Sequence, residues 1–559
     1  MKRSITRSIW LSRRRTQRAR MSLIVGIVAM LLSSSARSAQ QSAVSLATSR
    51  AGDLDPTFGV GGIVVSDLGA GEQGASVAIQ DDGRIIVAGV SGIPGVFFGQ
   101  DFLIARFNRD GSLDSTFGSG GKTITDFFGS WDEVNGIAVQ RDGKIVAAGF
   151  ARSSVAPISY VALARYDSDG NLDRSFGSGG KVLTLAPGGV FSIGNAVIVQ
   201  PDGRIVVAGR SDFVANDDSF VDFALWRYDP NGTLDGSFGT GGFVRTDFFG
   251  GFDFATSLVL QPDGKLVAGG LEDHDDTGWN YALARYNPNG SLDTTFGSVG
   301  RVSTDFFGFS DFGRALAMQS DGKLVMAGGI QLADERFSFG LARYNPNGSL
   351  DSSFGSGGKV TASSLGDFIG NSAVTIQPTG KIVTAGDASL GSGFALARFK
   401  IDGSLDVSFD SDGGIITPFP NSTSVSDLAL QTDGKIIALG SCFGDLALAR
   451  YDVNGFDICV EDDGTGNILQ FNSTNGDYQF SNCRKAITLG GTGKLTNEPN
   501  GCKINLQDNG PIPKRPDRSV LVQVNRCAHT ASASIQIFST GSSFTITDRD
   551  ITNNTCACR

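Results

Sequence analysis

The central part of the chain alternates between short runs of apolar and polar residues and turns that contain glycine. In one copy the run 255–261 leads into the turn 262–264 and a second run, 265–269. A third run at 281–286 and a fourth at 301–304 complete it. Strict alternation over a few residues predicts a β-strand, and glycine permits the positive φ of a tight turn. The pattern therefore predicts four short antiparallel strands per copy.

Three motifs recur in a fixed order at intervals of roughly 60 residues. Leu-Asp-x-x-Phe begins at Leu54, Leu113, Leu172, Leu234, Leu292, Leu350 and Leu405. A Gly-Lys or Gly-Arg turn has its glycine at 83, 143, 203, 264, 322, 380 and 434. An Arg-aromatic pair begins at Arg106, Arg165, Arg227, Arg285, Arg343, Arg398 and Arg450. Each motif occurs seven times, so the repeat has seven copies.

Seven copies of four short strands predict an all-β fold, a seven-bladed β-propeller with four-stranded blades. The chain enters the array with a run of the fourth type at 63–66 and leaves it after the third run of the last copy, at Tyr451. Pairing these two segments would close the last blade and remove two exposed sheet edges. We therefore expect the N-terminal strand to complete the last blade.

The repeats resemble the delta-60 family of bacterial exported proteins over about residues 53–455. The resemblance rests on the turn that begins Gln261-Pro-Asp-Gly, on Ala282-Leu-Ala-Arg-Tyr and on Leu292-Asp-x-x-Phe-Gly. The strand order is also similar to that of NHL-type propellers. The resemblance implies a propeller, and it implies no activity, because the family has no single known one and a fold does not determine function.

The chain divides into a predicted signal peptide (1–39), a linker (40–53), the propeller (54–455) and a small Cys-rich β domain (456–559). This last part resembles a small C-terminal module of other bacterial exported proteins. In an exported module, six cysteines predict up to three disulfides of unknown pairing. The alternative is a metal site that combines Cys556 and Cys558 with His529. The disulfide candidates are Cys459, Cys483, Cys502, Cys527, Cys556 and Cys558.

Charge and the N-terminal pattern bear on location and partners. Residues 1–39 carry nine Lys or Arg and no acid, and an apolar run at 23–32 precedes small residues, which is typical of an export signal. A signal anchor and a twin-arginine signal at 12–15 are the alternatives. The net charge of −10 argues against nucleic acid as a partner. We expect a secreted or cell-surface monomer that does not insert into the membrane after cleavage.

Arg285 and Asp293 recur in every copy, which indicates a structural role, either as Arg–Asp pairs or with Asp capping the turn. Phe296 and its equivalents are expected to pack between blades. The turn from Asp167 through Asp169 to Asp173 superficially resembles a calcium loop. An Asx-turn explains it equally, because other copies have Asn there. We therefore predict no cofactor, with calcium as the open alternative.

Copies differ most in the loops, which are the expected place for function. Acidic and aromatic residues there suit carbohydrate stacking and hydrogen bonding, or a peptide groove. The alternative is that the Asp-Phe-Phe segments pack the blade tops and the acids are solvated. The candidate ligand-binding residues are Asp126, Trp131, Asp217, Asp218, Asp247, Glu272, Asp273, Asp275, Asp276, Trp279 and Asp305.

No catalytic residue is predicted and no metal ligand is assigned. His274 is the only histidine of the repeats, so a histidine-based triad has little support, and Cys442 is expected to be a buried or unpaired thiol. The first hypothesis is a non-catalytic scaffold that binds a carbohydrate polymer or a protein. The alternatives are a polysaccharide lyase or hydrolase that uses loop carboxylates, and a structural envelope component.

Overall fold

A computed structural model describes 46–47, 51–69, 71–92, 99–215, 218–274, 278–362, 368–388, 393–410, 412–419, 423–453 and short strands within 456–546. None of the described residues is helical, so this part of the chain is all-β. It follows that no described helix is long and apolar enough to cross a membrane.

The strands of the repeats form antiparallel units in chain order. Two strands precede the first complete unit: β1 (Leu46–Ala47) and β2 (Ile63–Ser66). The next three units contain β3 (Glu72–Ile79), β4 (Ile85–Ser91), β5 (Asp101–Phe107), β6 (Lys122–Thr125); β7 (Asp132–Val139), β8 (Ile145–Arg152), β9 (Ser159–Tyr166), β10 (Lys181–Thr184); and β11 (Gly189–Val199), β12 (Ile205–Ala215), β13 (Asp218–Tyr228), β14 (Phe243–Thr246).

The following units contain β15 (Asp253–Leu260), β16 (Leu266–His274), β17 (Gly278–Tyr286), β18 (Arg301–Thr304); β19 (Asp311–Met318), β20 (Leu324–Gln331), β21 (Phe337–Tyr344), β22 (Lys359–Thr361); and β23 (Phe368–Ile376), β24 (Ile382–Ala388), β25 (Gly393–Phe399), β26 (Gly414–Pro418). The last repeat contributes β27 (Thr423–Leu430), β28 (Ile436–Cys442) and β29 (Asp445–Tyr451). Each strand pairs with the next within its unit, so the predicted four-stranded unit is confirmed.

The hydrophobic core lies between neighbouring units. The second and third strands of a unit are buried on both faces, as β4 and β5 illustrate, whereas the fourth strand is partly exposed. One core cluster joins Ile86 and Phe102 of one unit to Ile145 and Tyr166 of the next. Phe296 is likewise fully buried in a cluster shared by two units, as expected from the sequence. No unit can therefore bury its apolar faces alone.

The glycine of the Gly-Lys motif is required by the turn between the first two strands. Gly264 has a φ of 83°, and its amide donates to the Gln261 carbonyl at 2.9 Å. The Asp263 carboxylate accepts the Lys265 amide at 3.1 Å and fixes the turn. A residue with a Cβ would be strained at this φ, which explains why glycine recurs.

The repeated arginine joins three parts of the structure. Arg285 Nε lies 2.8 Å from Asp293 Oδ2, Nη1 donates to the Pro346 carbonyl of the next unit, and the guanidinium lies 4.5 Å over the Phe296 ring. Asp293 also caps its own turn by accepting the Thr295 amide. Both predicted roles of these residues are confirmed. The equivalent ion pairs are Arg106–Asp114, Arg165–Asp173, Arg227–Asp235, Arg343–Asp351, Arg398–Asp406 and Arg450–Asp55.

The basic residue after the turn glycine contacts the same aspartate. Lys265 Nζ lies 2.9 Å from Asp293 Oδ2, and Lys381 Nζ lies 2.8 Å from Asp406 Oδ2. All three recurrent motifs therefore converge on one buried cluster in each repeat. This convergence explains why they recur together.

The two ends of the repeat region meet, as expected. Strand β2 pairs antiparallel with β29, with Ile63 opposite Ala449 and Ser66 opposite Leu446. Asp55 is fully buried between Arg450 and Lys435. The arginine of the last repeat also donates to the Arg109 carbonyl of the first, so the inter-unit contact continues across the junction.

The acidic turn considered as a calcium loop is an Asx-turn. Asp167 Oδ1 accepts the amides of Asp169 at 3.0 Å and Asn171 at 2.8 Å. Asp173 is paired with Arg165 and Lys144. Hydrogen-bond donors and cations of the chain itself therefore engage these carboxylates.

The C-terminal strands form two further sheets. They are β30 (Phe456–Glu461), β31 (Ile468–Asn472), β32 (Asp477–Ser481), β33 (Ala486–Ile487), β34 (Gly493–Glu498), β35 (Gly501–Leu506), β36 (Val520–Asn525), β37 (Ala533–Ile537) and β38 (Ser542–Ile546). One sheet has the order β1-β30-β31-β32-β35-β34, and the other has the order β33-β36-β37-β38.

The cysteine predictions have different outcomes. Cys442 is a buried free thiol, as predicted. Cys459 and Cys502 lie in two strands of one C-terminal sheet, and their side chains are not described. Cys483, Cys527, Cys556 and Cys558 lie outside the described residues, so the disulfides stay a prediction.

Asp406→Asn should lower the free energy of unfolding by about 3–5 kcal/mol at pH 7, because Arg398 would keep its buried charge without its partner. The side chains of Arg398 and Asp406 are only 2% and 4% exposed. Urea unfolding measures the loss. The matched control is Asp334→Asn, which alters an exposed Arg–Asp pair and should leave the midpoint unchanged.

The same variant should change the acid limb of the stability profile. The pKa of Asp406 is lowered to about 2: burial opposes ionisation, but Lys381, Ser408 and Arg398 outweigh it. The stability it contributes is present above the unfolded-state pKa of about 4 and is lost as pH falls through about 2. The difference in the free energy of unfolding between wild type and Asp406→Asn should therefore shrink over that range. A constant difference would contradict this account.

Deletion of residues 1–67 should destabilise the protein and promote association, because it exposes the edge of β29 and leaves Arg450 without Asp55. Thermal unfolding and light scattering at several concentrations measure both effects. A chain that begins at residue 51 is the control: it also lacks β1 but keeps Asp55 and β2, so it should not associate and should be the more stable of the two truncated chains. Equal stability of the two truncated chains would show that the β2–β29 pairing contributes nothing.

Candidate functional site

The first strand of each unit contains a β-bulge at an equivalent position. The register with the second strand shifts between Val134 and Gly136 in β7, for example, and between Gly313 and Ala315 in β19. A bulge adds one residue to a strand and re-aims its side chain. The bulge residues are Ala75, Asn135, Asn195, Thr256, Arg314 and Ser426, and in β23 the shift spans 369–373.

These bulge residues line one cavity of about 740 Å³. Successive first strands contact one another from β3 through β27, and β27 contacts β3, so the strands form a closed circle around it. Other first-strand residues on its wall include Gln73, Glu133, Phe254, Phe312 and Ser424. The second and third strands add Val90, Phe150, Arg210, Leu271, Trp279 and Ser441.

Side chains at the bulges join neighbouring units around the cavity. Asn135 Nδ2 donates to the Gly194 carbonyl at 2.9 Å, and Asn195 Nδ2 donates to the Ala255 carbonyl at 2.8 Å. Thr256 Oγ1 donates to the carbonyl of Gly313 at 3.2 Å. Part of the wall is thereby held rigid by hydrogen bonds from one unit to the next.

Charged groups of both signs face the cavity. Burial lowers the pKa of Arg314, which nevertheless remains a cation at neutral pH. Its Nε is buried and has no hydrogen-bond partner among the described residues. Burial raises the pKa of Glu133, and a hydrogen bond from Trp131 opposes this. The cavity thus presents a guanidinium with unused hydrogen-bonding capacity and a carboxyl whose pKa is raised.

Aromatic side chains adjoin these charges. The Trp279 ring lies 5.3 Å from that of Phe254, and the Arg210 guanidinium lies 4.8 Å from the same phenylalanine ring. Trp131 packs edge-on against Phe150 at 5.4 Å. Flat apolar surfaces next to charged and polar groups provide the two contact types that sugar rings require.

Of the residues predicted from the sequence to bind a ligand, only some lie at or near the cavity. Trp279 lines the cavity, and Trp131 packs against Phe150, which also lines it. Asp273 lies in β16, where its amide donates to the carbonyl of Phe252. Asp218 lies in β13 with its side chain not described. Asp217, Asp275 and Asp276 lie outside the described residues.

Glu272 is fully buried, and its Oε1 is bonded within the chain, whereas its Oε2 has no hydrogen-bond partner among the described residues. It accepts hydrogen bonds from Asn280 at 3.0 Å and Ser303 at 2.5 Å. Burial raises its pKa. These contacts describe a structural group.

The three Asp-Phe-Phe segments behave alike. Asp126, Asp247 and Asp305 each accept the amide of the glycine three residues later, at 2.5, 2.6 and 2.7 Å respectively. The first phenylalanine of two segments, Phe248 and Phe306, is buried, and its ring lies about 5 Å from an aromatic ring of the preceding unit. The packing alternative therefore describes these phenylalanines.

Sequence reasoning missed the bulge residues, Arg314 and Glu133. A signal was present: the bulge position varies among copies, and it is Arg in one copy. The bulges themselves could not be read from the pattern, because one extra residue does not break the repeat spacing.

The repeats match the family described as "Domain of unknown function (DUF5122) beta-propeller" at residues 80–117, 140–176, 200–238, 261–296, 319–354 and 377–409. The chain carries β-propeller repeats. The DUF5122 segments each run from the end of a first strand to the phenylalanine that lies under the arginine. No curated protein matches the chain.

Solved structures that resemble the chain include enzymes and a β-propeller domain. A catalytically inactive virginiamycin B lyase from Staphylococcus aureus with quinupristin is 12% identical, with a TM-score of 0.37 over 70% of this chain and 98% of that one. An alpha-L-arabinanase from Penicillium chrysogenum with arabinobiose is 14% identical, with a TM-score of 0.35 over 57% and 92%. The β-propeller domain of the Trilobed protease from Pyrococcus furiosus, of open velcro topology, is 9% identical, with a TM-score of 0.35 over 69% and 95%.

Asn195→Ala should lower the free energy of unfolding by about 1 kcal/mol, because the Ala255 carbonyl loses its donor from the neighbouring unit. Denaturant unfolding measures the change. Ser426→Ala is the control at the equivalent bulge, where the structure gives no such bond, and it should have no effect. Equal losses in the two variants would mean that the bond from Asn195 contributes nothing specific.

Proposed function

We propose that the protein is an exported, non-catalytic binding protein whose repeats form a closed seven-bladed propeller. Its ligand is a segment of an acidic carbohydrate polymer that enters the cavity surrounded by the first strands, here called the axial cavity. Arg314 carries this proposal, because it lines a cavity that also has aromatic walls and its buried Nε has no hydrogen-bond partner among the described residues. A secreted or cell-surface location and a monomeric state belong to the same proposal.

Three observations support a closed ring. Strand β2 pairs with β29, the first strands contact one another in a circle, and Arg450 donates to the carbonyl of Arg109. Each joins the last repeat to the first. Closure removes the free edges that would otherwise favour aggregation.

The chemistry of the wall supports an acidic sugar. A guanidinium binds carboxylate or sulfate groups through directed hydrogen bonds, and Trp279 offers a face for a sugar ring. Asn, Ser and Gln side chains supply partners for hydroxyl groups. Arg210 adds a second cation, although Asp212 lies 3.5 Å from its Nε.

An enzymatic alternative, a polysaccharide lyase or hydrolase, has one observation in its favour. Glu133 lies on the same cavity wall as Arg314, and burial raises its pKa, as a general acid requires. Turnover would distinguish this alternative from binding.

Acidic oligosaccharides should bind the full-length protein, and Arg314→Met should weaken that binding at least tenfold, because the anionic group loses its cation. Calorimetry with uronic-acid and neutral oligosaccharides measures affinity, and release of reducing ends or unsaturated products measures turnover. Arg314→Lys should retain part of the affinity. The exposed Arg336→Met is the control and should bind as wild type.

Other outcomes would decide against the proposal. If no acidic sugar binds, or if Arg314→Met binds it with unchanged affinity, the proposal of a binding site in the axial cavity is wrong. Binding of a protein ligand that depends on Asp126 or Asp247 would put the ligand on the loops instead. Turnover that is lost in Glu133→Gln would establish the enzymatic alternative.

A further inference from the structure

Three groups of carboxylates lie outside the axial cavity. In each group, one ligand oxygen from every member lies within 4.8 Å of the others. The groups are Asp101, Asp126 and Asp132; Asp222, Asp247 and Asp253; and Asp67, Glu72 and Asp445.

The groups occupy equivalent positions in the repeat. The first acid lies one residue before the third-strand residue that pairs with the last residue of the fourth strand. In the first group, Asp101 precedes Phe102, which pairs with Thr125. The second acid, Asp126, follows that strand. The third, Asp132, lies three residues before the next bulge. The same positions hold the other two groups, so the repeat brings together residues that are far apart in sequence.

The third acid has a structural task that does not need a charge. Asp132 Oδ2 accepts the Phe127 amide at 2.6 Å and so holds the loop between two units. At the equivalent position of another unit, the Ser192 hydroxyl accepts the Ala186 amide at 3.0 Å. That unit has Tyr160 and Leu185 in place of the other two acids. A neutral side chain therefore suffices for the loop, and the acids exceed what the fold requires.

The extra charge leaves buried oxygens unsatisfied. Asp132 and Asp253 are both 0% exposed, and Oδ1 of each has no hydrogen-bond partner among the described residues. A buried carboxylate without a counter-charge is costly, and a bound cation would satisfy it.

We propose that Asp101, Asp126 and Asp132 bind Ca²⁺ and that the two equivalent groups form sites of the same kind. The donors are all hard oxygens, which Ca²⁺ prefers and which softer metals do not select. Asp126 is exposed and Asp132 is buried, so the site has an entrance and an inner end. Water can complete the coordination shell, as Ca²⁺ takes six to eight oxygens.

The first group is the best one to test. In the second group, Arg245 Nε lies 3.7 Å from Asp222 Oδ2 and competes with a metal ion. Near the first group, the contacts of the Lys181 ammonium are with a backbone carbonyl and a ring. Its Nζ donates to the Asp126 carbonyl at 3.0 Å and lies 5.4 Å from the ring of Phe127. Trp131 is adjacent in sequence to Asp132 and can sensitise a bound lanthanide.

The test is Ca²⁺ and Tb³⁺ binding to the full-length protein after chelator treatment. Equilibrium dialysis counts bound Ca²⁺, and luminescence excited through tryptophan follows Tb³⁺. The double variant Asp101→Asn with Asp126→Asn keeps the loop bond of Asp132. It should bind one Ca²⁺ fewer than wild type and should lose at least half of the luminescence, which added Ca²⁺ should also displace in wild type.

The control removes the same two charges from the Asx-turn, as Asp167→Asn with Asp169→Asn, and should bind as wild type. If the double variant at 101 and 126 does not fold, Asp101→Asn alone should weaken Ca²⁺ binding at this site about tenfold. The proposal is overturned if wild type binds no Ca²⁺ at millimolar concentration, if the site variant keeps wild-type stoichiometry, or if the control loses as much. Sugar binding is a separate readout and has no bearing on the result.

Discussion

The guanidinium of one arginine per repeat is the contact on which the rest of the structure depends. It is paired with an aspartate of its own unit, lies over a buried phenylalanine and donates to a backbone carbonyl of the next unit. A planar guanidinium can make these contacts simultaneously, whereas an ammonium cannot. Because Arg450 reaches back to Arg109, the same contact joins the end of the array to its beginning. Each unit is thus supported by its neighbours on both sides.

Because these contacts hold the units together, other positions are free to vary. The cores between units and the arginine clusters are uniform from copy to copy, and they fix where each first strand runs. Side chains at the bulges can then differ, from Ala75 through Thr256 to Arg314, without loss of the scaffold. The loop acids differ in the same way, since one unit holds its loop with Ser192 and another with Asp132. Function in such a structure belongs to the positions that the architecture does not determine.

The features that could be predicted from the sequence are those that recur in all seven copies of the repeat. The strands follow from alternation, and the pairing of Arg285 with Asp293 follows from their joint recurrence. The cavity did not follow, because a bulge moves one residue out of the alternation without changing the distance between motifs. Arg314 and Glu133 were therefore missed, although Trp279 was selected. The grouping of Asp101 with Asp126 and Asp132 depends on strand register, which neither composition nor spacing specifies.

In the proposed closed ring, the β2–β29 pairing underlies both the cavity and the continuity of the arginine contacts, and hydrogen exchange tests this pairing most directly. The amides of Ile63–Ser66 are paired with β29, just as those of Arg301–Thr304 are paired within their own unit. The account predicts that paired amides in the two segments exchange at similarly slow rates in the native protein. Exchange of the 63–66 amides at the rate of unpaired chain, with 301–304 protected, would contradict it.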